Sequence, residues 1–153
     1  MKPQNSVVFR EFRKSDGKTI SRLMHALNRE DSQELPLDKE KVNQLFRHAP
    51  KKIYVQLFVA EKSGKIIGYA IYNKAFSVEF SGMYGEIDEI YILPKYRNQG
   101  IGTEFVMWLE KLSRKNKFHA LYLVSTTHNT NAHGLYKRIG FEKLPEVGFI
   151  KMF

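Results

Sequence analysis

A strand that runs into a glycine-containing turn and then into a helix is the part of this sequence best suited to chemistry. In residues 90–103, an apolar run ends at Pro94. Gly100 and Gly102 follow it, just before the regularly spaced apolar residues of the next predicted helix. Glycines let backbone N–H groups crowd around an anion, and the free donors and dipole of a helix N-terminus favour negative charge. Lys95 and Arg97 add positive charge at the same place. The segment predicts a phosphate-binding loop, with a plain strand-to-helix turn as the alternative.

Two widespread nucleotide-binding loops are excluded by the spacing of the glycines. The sequence has no Gly-x-x-x-x-Gly-Lys-Ser/Thr run. Phe105 stands where the pattern Gly-x-Gly-x-x-Gly requires its third glycine. The loop must therefore serve a different phosphate ligand.

Carboxylates precede this loop on the same predicted strand. Alternation places Glu86, Asp88 and Ile90 on one face and Glu89 on the other. Crowded carboxylates raise the pKa of at least one member, which suits a general base. The same residues could equally cap a strand end or pair with Lys and Arg.

Periodicity predicts the elements that must position these residues. Apolar residues spaced by three and four indicate helices, and alternating ones indicate strands. The expected elements in chain order are strand 7–12, helix 20–27, a second helix capped by Asp38 and ending before Pro50, strands 53–60, 66–74 and 84–93, helix 100–115, strand 121–124, a helix ending at Gly140, and a hairpin through Phe141 and 149–152. One strand-helix-strand unit thus follows a set of antiparallel strands.

Composition restricts the class of protein. The 153 residues, 42% of them hydrophobic, suit a single globular domain, which we expect over residues 7–153. No apolar run approaches the roughly 20 residues needed to cross a bilayer, so no membrane association is expected. The start of the sequence lacks the apolar stretch of a secretory signal, which predicts a cytoplasmic protein. With no cysteine, thiol catalysis and disulfides are excluded.

The net charge of +9 is distributed unevenly along the chain. Residues 1–74 carry 15 basic and 8 acidic side chains, residues 75–94 only 4 acidic ones, and residues 95–143 carry 9 basic and 3 acidic ones. An acidic block is thus followed directly by a basic one around the predicted phosphate loop. This order suggests that a cationic and an anionic ligand meet at one place.

Two motifs of the second half resemble one known family. The run Ile92-x-Pro94-x-Tyr96-Arg97-x-x-Gly100-Ile101-Gly102 is similar to the acetyl-coenzyme A (acetyl-CoA) signature of the GNAT superfamily of N-acetyltransferases. The run Asn129-x-x-Ala132-x-x-Leu135-Tyr136-x-x-x-Gly140-Phe141 is similar to that family's second motif. The resemblance implies an α/β (α+β) fold, with a mixed, mostly antiparallel sheet of six to seven strands, about four flanking helices and a splayed parallel strand pair.

The resemblance also implies how acetyl-CoA, the cosubstrate, is held. The backbone of Ile90 and Ile92, with Tyr91 between them, would pair with the pantetheine amides in the gap between the two parallel strands. The pyrophosphate would be bound by the loop and the first helical turn, at Arg97, Asn98, Gln99, Gly100, Ile101, Gly102 and Thr103. Asn129 would contact the pantetheine arm, and Tyr136 would lie near the thioester sulfur.

Transfer of an acetyl group to an amine needs a base, because an alkylamine with a pKa of about 10.4 is mostly protonated at neutral pH. By position relative to Arg97, Glu86 matches the base glutamate of the histone-acetylating branch, and Asp88 matches a glutamate of the polyamine-acetylating branch. We favour Glu86, acting directly or through water, with Asp88 second. Tyr136 is the candidate acid for the departing thiolate, although it could also be a core residue of an apolar helix face.

The acceptor site is implied to lie between the first two helices and in the loop before residue 84. These segments supply carboxylates and aromatic rings, which suit a cationic amine but also occur in ordinary solvated loops. The candidates are Glu30, Asp31, Glu34, Phe76 and Phe80. No motif decides between a polyamine-like or amino-acid-like small molecule and a peptide or protein amine.

Two other function classes stay open at this point. One is a non-catalytic sensor that binds coenzyme A. The presence of Glu86 and Tyr136 argues against this sensor function. The other is a basic nucleic-acid-binding protein, for which no recognition motif is present. The five histidines show no metal-ligand spacing, so no metal is expected. Dimers are common in the family, which leaves a homodimer open.

Overall fold

The computed structural model describes residues 6–31 and 36–153. Within these ranges the chain forms five strands and four helices. They are β1 (Val7–Glu11), α1 (Gly17–Glu30), α2 (Lys39–His48), β2 (Val55–Lys62), β3 (Lys65–Ser77), β4 (Gly82–Ile92), α3 (Ile101–Lys115), β5 (Ala120–Leu123) and α4 (Thr130–Arg138). None of the described helices has both the length and the apolar character required to span a bilayer.

The strands form one mixed sheet in the order β1-β2-β3-β4-β5. Neighbours from β1 to β4 are antiparallel, whereas β5 runs parallel to β4. The β2–β3 connection is a two-residue hairpin in which Ser63 and Gly64 have φ values of 49° and 73°, matching the twist of the strands. A parallel connection needs a crossover, which α3 supplies. The expected parallel pair is therefore β4 and β5.

Helices cover both faces of the sheet. On one face, α1 and α2 bury residues such as Ile20 and Val42 against the alternate side chains of β2 and β3. On the other face, α3 buries Phe105 and Leu109, and α4 packs at the margin of the same cluster. Full burial of a side chain of this size stabilises the fold by about 1.5–3 kcal/mol. The two apolar clusters fix the sheet between its helices and so fix the ends of β4 and β5.

A β-bulge interrupts β4 at Asp88. In the β3–β4 register Ile71 pairs with Glu89 and Tyr72 pairs with Ile87, so Asp88 has no residue opposite it. An extra residue of this kind bends the strand and increases its twist. The bulge therefore redirects β4 just before the predicted phosphate loop.

The bulge overturns the predicted placement of the carboxylates. Ile87 and Ile90 both pack in the cluster that α3 covers, although strict alternation would separate them. The prediction that Glu86, Asp88 and Ile90 share a face is therefore wrong. Glu86 and Glu89 instead lie on the α1 face, as their partners in β3 do. A pattern of period two cannot reveal an inserted residue.

The predicted C-terminal hairpin does not form, and the described sheet has five strands rather than six to seven. Gly140, with φ of 93°, ends α4 as predicted, and it is the last described residue with positive φ. No tight hairpin turn therefore follows it. The side chains of residues 142–153 are exposed.

Candidate active site

Beyond the last paired residues of β4 and β5, the β5-side edge of β4 has no strand partner among the described residues, and we call this stretch the gap between β4 and β5. Their parallel pairing ends at Ile87 and Leu123, one residue before the bulge. Leu93 donates its backbone N–H to a β3 carbonyl, so by alternation the backbone groups of Ile90 and Ile92 point away from β3 into the gap. This edge can pair with a ligand that carries amides.

The loop after β4 presents backbone donors. Gly100, in the left-handed conformation with φ of 79°, precedes α3 and has no side chain to cap the first turn. Within the described chain, the N–H groups of residues 98–103 have no recorded hydrogen-bond acceptor. A Cβ built on Gly100 would meet no heavy atom within 4 Å. Uncapped donors at a helix N-terminus beside open space form a site for a phosphate.

Arg97 is bound to α1 and is not free in this loop. Its Nη2 donates to Oε2 of Glu30 at 2.7 Å, and its Nε donates to the carbonyl of Ile92 at 2.8 Å. The hydroxyl of Tyr91 donates to Oε1 of Glu30 at 2.8 Å, and the guanidinium lies 5.2 Å from the centre of the Tyr91 ring. Glu30, which we expected on the acceptor side, thus joins the end of α1 to the predicted phosphate loop.

The same contacts set the ionisation of this cluster. Burial raises the pKa of Glu30, but the hydrogen bonds from Arg97 and Tyr91 outweigh burial and hold the pKa below its ordinary value of 4.5. Burial, and then the Glu30 carboxylate, raise the pKa of Tyr91 above its ordinary value of 10.0. At neutral pH Glu30 is therefore charged and Tyr91 keeps its proton, so the network persists.

The three carboxylates of β4 lie in different environments. Asp88 lies in the bulge, where its side chain reaches solvent while the surrounding protein raises its pKa above the ordinary value of 3.8 by burial. Glu86 lies where β4 is still paired, opposite Tyr122 of β5. Glu89 accepts a hydrogen bond from the hydroxyl of Tyr69 at 2.8 Å. A general base needs a pKa higher than that of an ordinary carboxylate. Asp88 has a raised pKa, and it lies at the point where the pairing of β4 and β5 ends.

Three aromatic rings pack together beside Glu86. The ring centres of Phe80, Tyr84 and Tyr122 lie 5.0, 6.2 and 6.3 Å apart. Burial, the charge of Glu86 and the neighbouring Tyr122 raise the pKa of Tyr84 above 10.0. We call these rings the aromatic trio; sequence reasoning identified only Phe80. Tyr84 could have been found from its spacing of two from Glu86, whereas Tyr122 is brought there by the parallel pairing.

The other predicted acceptor residues are not brought to this place. Phe76 is an exposed residue near the end of β3, and Asp31 is the cap residue directly after α1. Glu34 lies outside the described residues. In the described ranges, no three His, Asp or Glu side chains are grouped to hold a metal ion.

Tyr136 and Asn129 belong to α4 and its cap. Tyr136 is half-buried against Phe141, at 5.7 Å between ring centres, and burial raises its pKa above 10.0. Its hydroxyl makes no hydrogen bond to a described residue. Because no buried side-chain polar atom of the described residues lacks a partner, this hydroxyl is open to solvent. The Oδ1 of Asn129 accepts from the N–H of Ala132 at 3.3 Å, which leaves its amide nitrogen for a ligand.

Similar sequences occur in proteins that are named as acetyltransferases. The L-methionine sulfoximine/L-methionine sulfone acetyltransferase of Pseudomonas aeruginosa is 26% identical over 119 residues, which cover 75% of this chain and 68% of that protein. The thialysine N-epsilon-acetyltransferase of Mus musculus is 30% identical over 81 residues, or 53% of this chain and 47% of that protein.

Solved structures share the fold at lower identity. A transcriptional regulator from Bacillus halodurans superposes with a TM-score of 0.81 at 22% identity, over 97% of this chain and all of that one. The aminoglycoside N-acetyltransferase AAC(6')-Iy, in complex with CoA, gives a TM-score of 0.81 at 14% identity, over 99% and 98% of the two chains. The acetyltransferase (GNAT) family matches residues 20–141, well over half of the sequence. The chain therefore belongs to the GNAT family of acetyltransferases.

Proposed function

We propose that this protein is an acetyl-CoA-dependent N-acetyltransferase acting on a primary amine of a small molecule or of a peptide or protein. The supporting observation is the direct succession of two features: the gap between β4 and β5, and the uncapped N-terminus of α3. A ligand with amides at one end and phosphates at the other matches both. The names of the relatives point to the same class of reaction.

The residues around the gap fit acetyl-CoA. Ile90 offers both backbone groups to pantetheine, whereas the carbonyl of Ile92 already accepts from Arg97 and leaves its N–H. The backbone N–H groups of residues 98–103 would bind the pyrophosphate, and the amide nitrogen of Asn129 is available to the pantetheine arm. When bound, acetyl-CoA supplies an acetyl group that is already activated as a thioester.

We propose Asp88, rather than Glu86, as the base. Asp88 lies at the point where β4 and β5 separate, whereas Glu86 lies inside the paired region. Asp88 accepts a proton from the ammonium form of the acceptor, which frees the nitrogen lone pair for attack on the acetyl carbon. General base catalysis of this kind contributes about 10²–10⁴-fold to a rate.

Tyr136 is the proposed acid. Its raised pKa keeps the hydroxyl protonated at neutral pH, so Tyr136 can donate that proton to the sulfur as the bond between sulfur and the acetyl carbon breaks. Asp88 has by then taken one proton from the acceptor. The nitrogen that has attacked loses its second proton to the Tyr136 phenolate, directly or through water. Asp88 then releases its proton to solvent, so the acceptor ends as a neutral amide, coenzyme A ends as a thiol, and no other reactant is required.

The acidic and aromatic surroundings of Glu86 support a cationic acceptor. The aromatic trio and Glu86 together would attract an ammonium group by charge pairing and by cation–π contact, which is worth about 0.5–2 kcal/mol. Two of the relatives are named for amino-acid-like substrates. We therefore propose an amino-acid-like or polyamine-like small molecule ahead of a protein amine.

A thiol-release assay with acetyl-CoA tests this function. The panel of acceptors should include polyamines, amino acids, aminoglycosides and N-terminal peptides, and thermal unfolding with acetyl-CoA should be measured in parallel. We expect stabilisation by acetyl-CoA and turnover with at least one cationic amine. Stabilisation without turnover across the panel would favour a CoA sensor, and failure of acetyl-CoA to stabilise the protein would refute both functions.

A further inference from the structure

The sheet extends beyond the last turn of α3, so part of its α3 face is not covered by that helix. The hydroxyls of Tyr72 in β3 and Ser113 in α3 are hydrogen-bonded at 2.7 Å, and α3 ends two residues later at Lys115. Side chains on one face of a strand recur at every second residue. Counted from the buried residues Phe58, Tyr72 and Ile87, four side chains lie on this face beyond the helix, namely Tyr54, Lys74, Phe76 and Met83.

These four residues, which we call the uncovered face, form an apolar surface around one lysine. Tyr54, Phe76 and Met83 are 50%, 67% and 39% exposed. The backbone N–H of Lys74 donates to the carbonyl of Tyr54 at 2.7 Å, and Phe76 pairs with Met83 in the β3–β4 register, so the four residues are neighbours. A hydrogen bond to Nδ1 of His48 holds the Tyr54 hydroxyl. An exposed apolar patch with a polar rim is typical of an interaction site.

The segments that carry and border the uncovered face contain only positive charge. Residues 51–54, 74–77 and 114–119 include six Lys or Arg residues and no Asp or Glu. On the β4 side, the N–H of His119 donates to the carbonyl of Met83 at 2.8 Å, which holds the segment after α3 beside the face. The apolar centre therefore has a cationic rim.

Lys74 is a cation without a compensating charge at the centre of this face. Its Nζ donates to the carbonyl of Lys52 at 2.8 Å, but no carboxylate of the described residues lies within ion-pair distance. Burial, and then the charge of Lys52, lower the pKa of Lys74 below its ordinary value of 10.5. Lys52 is itself paired with Glu11, whose charge offsets these effects only in part. An anionic group bound beside Lys74 would favour its charged form.

Charge also distinguishes the possible occupants of the face. A second copy of this chain would bring the same cations against it, and like charges repel. Residues 142–153 carry two acidic and two basic side chains, so they offer no complementary charge. An apolar centre within a charged rim is the arrangement of a protein interface. A single-stranded nucleic acid could stack its bases on the two rings, so it is the alternative that the experiment must exclude.

We propose that the uncovered face binds an acidic segment of a partner protein, in which Asp or Glu alternates with large apolar side chains. The apolar side chains of the segment contact Tyr54, Phe76 and Met83, and a carboxylate pairs with Lys74. Met83 lies at the beginning of β4 (Gly82–Ile92), whereas the predicted phosphate loop follows the end of this strand. The partner and acetyl-CoA would therefore occupy different surfaces.

Fluorescence anisotropy with a labelled synthetic peptide, in which Asp and Glu alternate with Leu and Phe, tests this surface. We expect the unmodified chain to bind the peptide and Lys74→Gln and Phe76→Ser each to bind it about tenfold more weakly. Lys74→Arg keeps the charge and should retain binding. The matched controls are Lys18→Gln, at an exposed lysine of α1, and Val147→Ser, at an exposed apolar residue after α4; both should bind as the parent does.

Two further probes separate the chemistry of the partner. The same peptide with Asn and Gln in place of its acids should bind about tenfold more weakly to the parent. An oligouridylate should bind Phe76→Ser as it binds the parent. Thermal unfolding of each variant shows that it is folded. The inference would be overturned by a parent that does not bind the acidic peptide, by equal binding of the parent, Lys74→Gln and Phe76→Ser, or by tighter binding of the oligouridylate that these two substitutions abolish. Tighter peptide binding by Val147→Ser would also overturn it, because residues 142–153 would then be the occupant of the face.

Discussion

Replacement of Asp88 by asparagine should affect turnover and stability in opposite directions. The amide keeps the size of the side chain but cannot accept the proton of an ammonium group, so turnover should fall about 10²–10⁴-fold. Burial raises the pKa of Asp88 above 3.8, so the charged carboxylate is less favourable in the folded state. The parent therefore loses stability as the pH rises through this raised pKa. The variant has no carboxylate at this position, so it does not lose this stability at neutral pH.

The gain in stability should be small. A tenfold change in proton affinity corresponds to about 1.4 kcal/mol, and contact of the Asp88 side chain with solvent reduces this effect. We expect the free energy of unfolding of Asp88→Asn to be unchanged or higher by at most ~1 kcal/mol. Combined with a large loss of turnover, this result would distinguish a functional carboxylate from a structural one.

The assay combines thiol release with thermal unfolding, with and without acetyl-CoA. In the parent, kcat/KM should rise as the pH increases through the pKa of Asp88, because the base must be deprotonated; the variant should lack this limb. Glu79→Gln, which alters an exposed carboxylate in the β3–β4 turn, is the control for charge alone. We assigned Asp88 as the base because it lies in the bulge. This assignment would be refuted if Asp88→Asn kept its turnover within tenfold of the parent while Glu86→Gln lost most of its turnover.

Three further changes test other parts of the structure. Tyr136→Phe should lower kcat strongly while acetyl-CoA stabilises it as it does the parent; equal kcat would remove the assigned acid. Glu30→Gln should raise KM for acetyl-CoA up to about tenfold at constant kcat, since its ion pair with Arg97 is partly exposed and worth about 1 kcal/mol; a change in kcat alone would contradict a positioning role. In urea titrations, Gly85→Ala should lose about 1–3 kcal/mol of stability, because the new methyl group would collide with Tyr72; an unchanged midpoint would contradict this packing.

The pH dependence of the Glu30 contribution has a defined sign. The folded-state pKa of Glu30 lies below 4.5, so its stabilising effect is present above the ordinary pKa and is lost as the pH falls through the lowered one. Acid unfolding of the parent and of Glu30→Gln should therefore converge at low pH. Curves that stay equally far apart down to the lowest pH would show that the lost stability does not come from ionised Glu30.

Local signals in the sequence were sufficient for most of the elements. The spacing of Ile20, Leu23 and Leu27 predicted α1, and the structure places α1 at Gly17–Glu30. Gly100 and Gly140 correctly marked the start of α3 and the end of α4. These features depend on neighbouring residues, so they can be read without knowledge of the fold.

Contacts between distant residues could not be predicted in the same way. Glu30 and Arg97 are 67 positions apart, and only the packing of α1 on the sheet brings their side chains together. Tyr122 reaches Glu86 through the parallel register of β5. The bulge at Asp88 changes which side chains share a face, and no period in the sequence contains it.

By itself, the sequence determined the glycine-containing turn before α3, the order of the elements up to α4 and the family, because each depends on residues that are close together along the chain. The tertiary structure alone decided which carboxylate lies at the separation of β4 and β5, which charge holds Arg97, and that residues 142–153 leave the β5 edge uncovered. The physical reason is that strand register, bulges and helix packing are set by the simultaneous burial of both apolar clusters, and such burial joins residues that no local pattern connects.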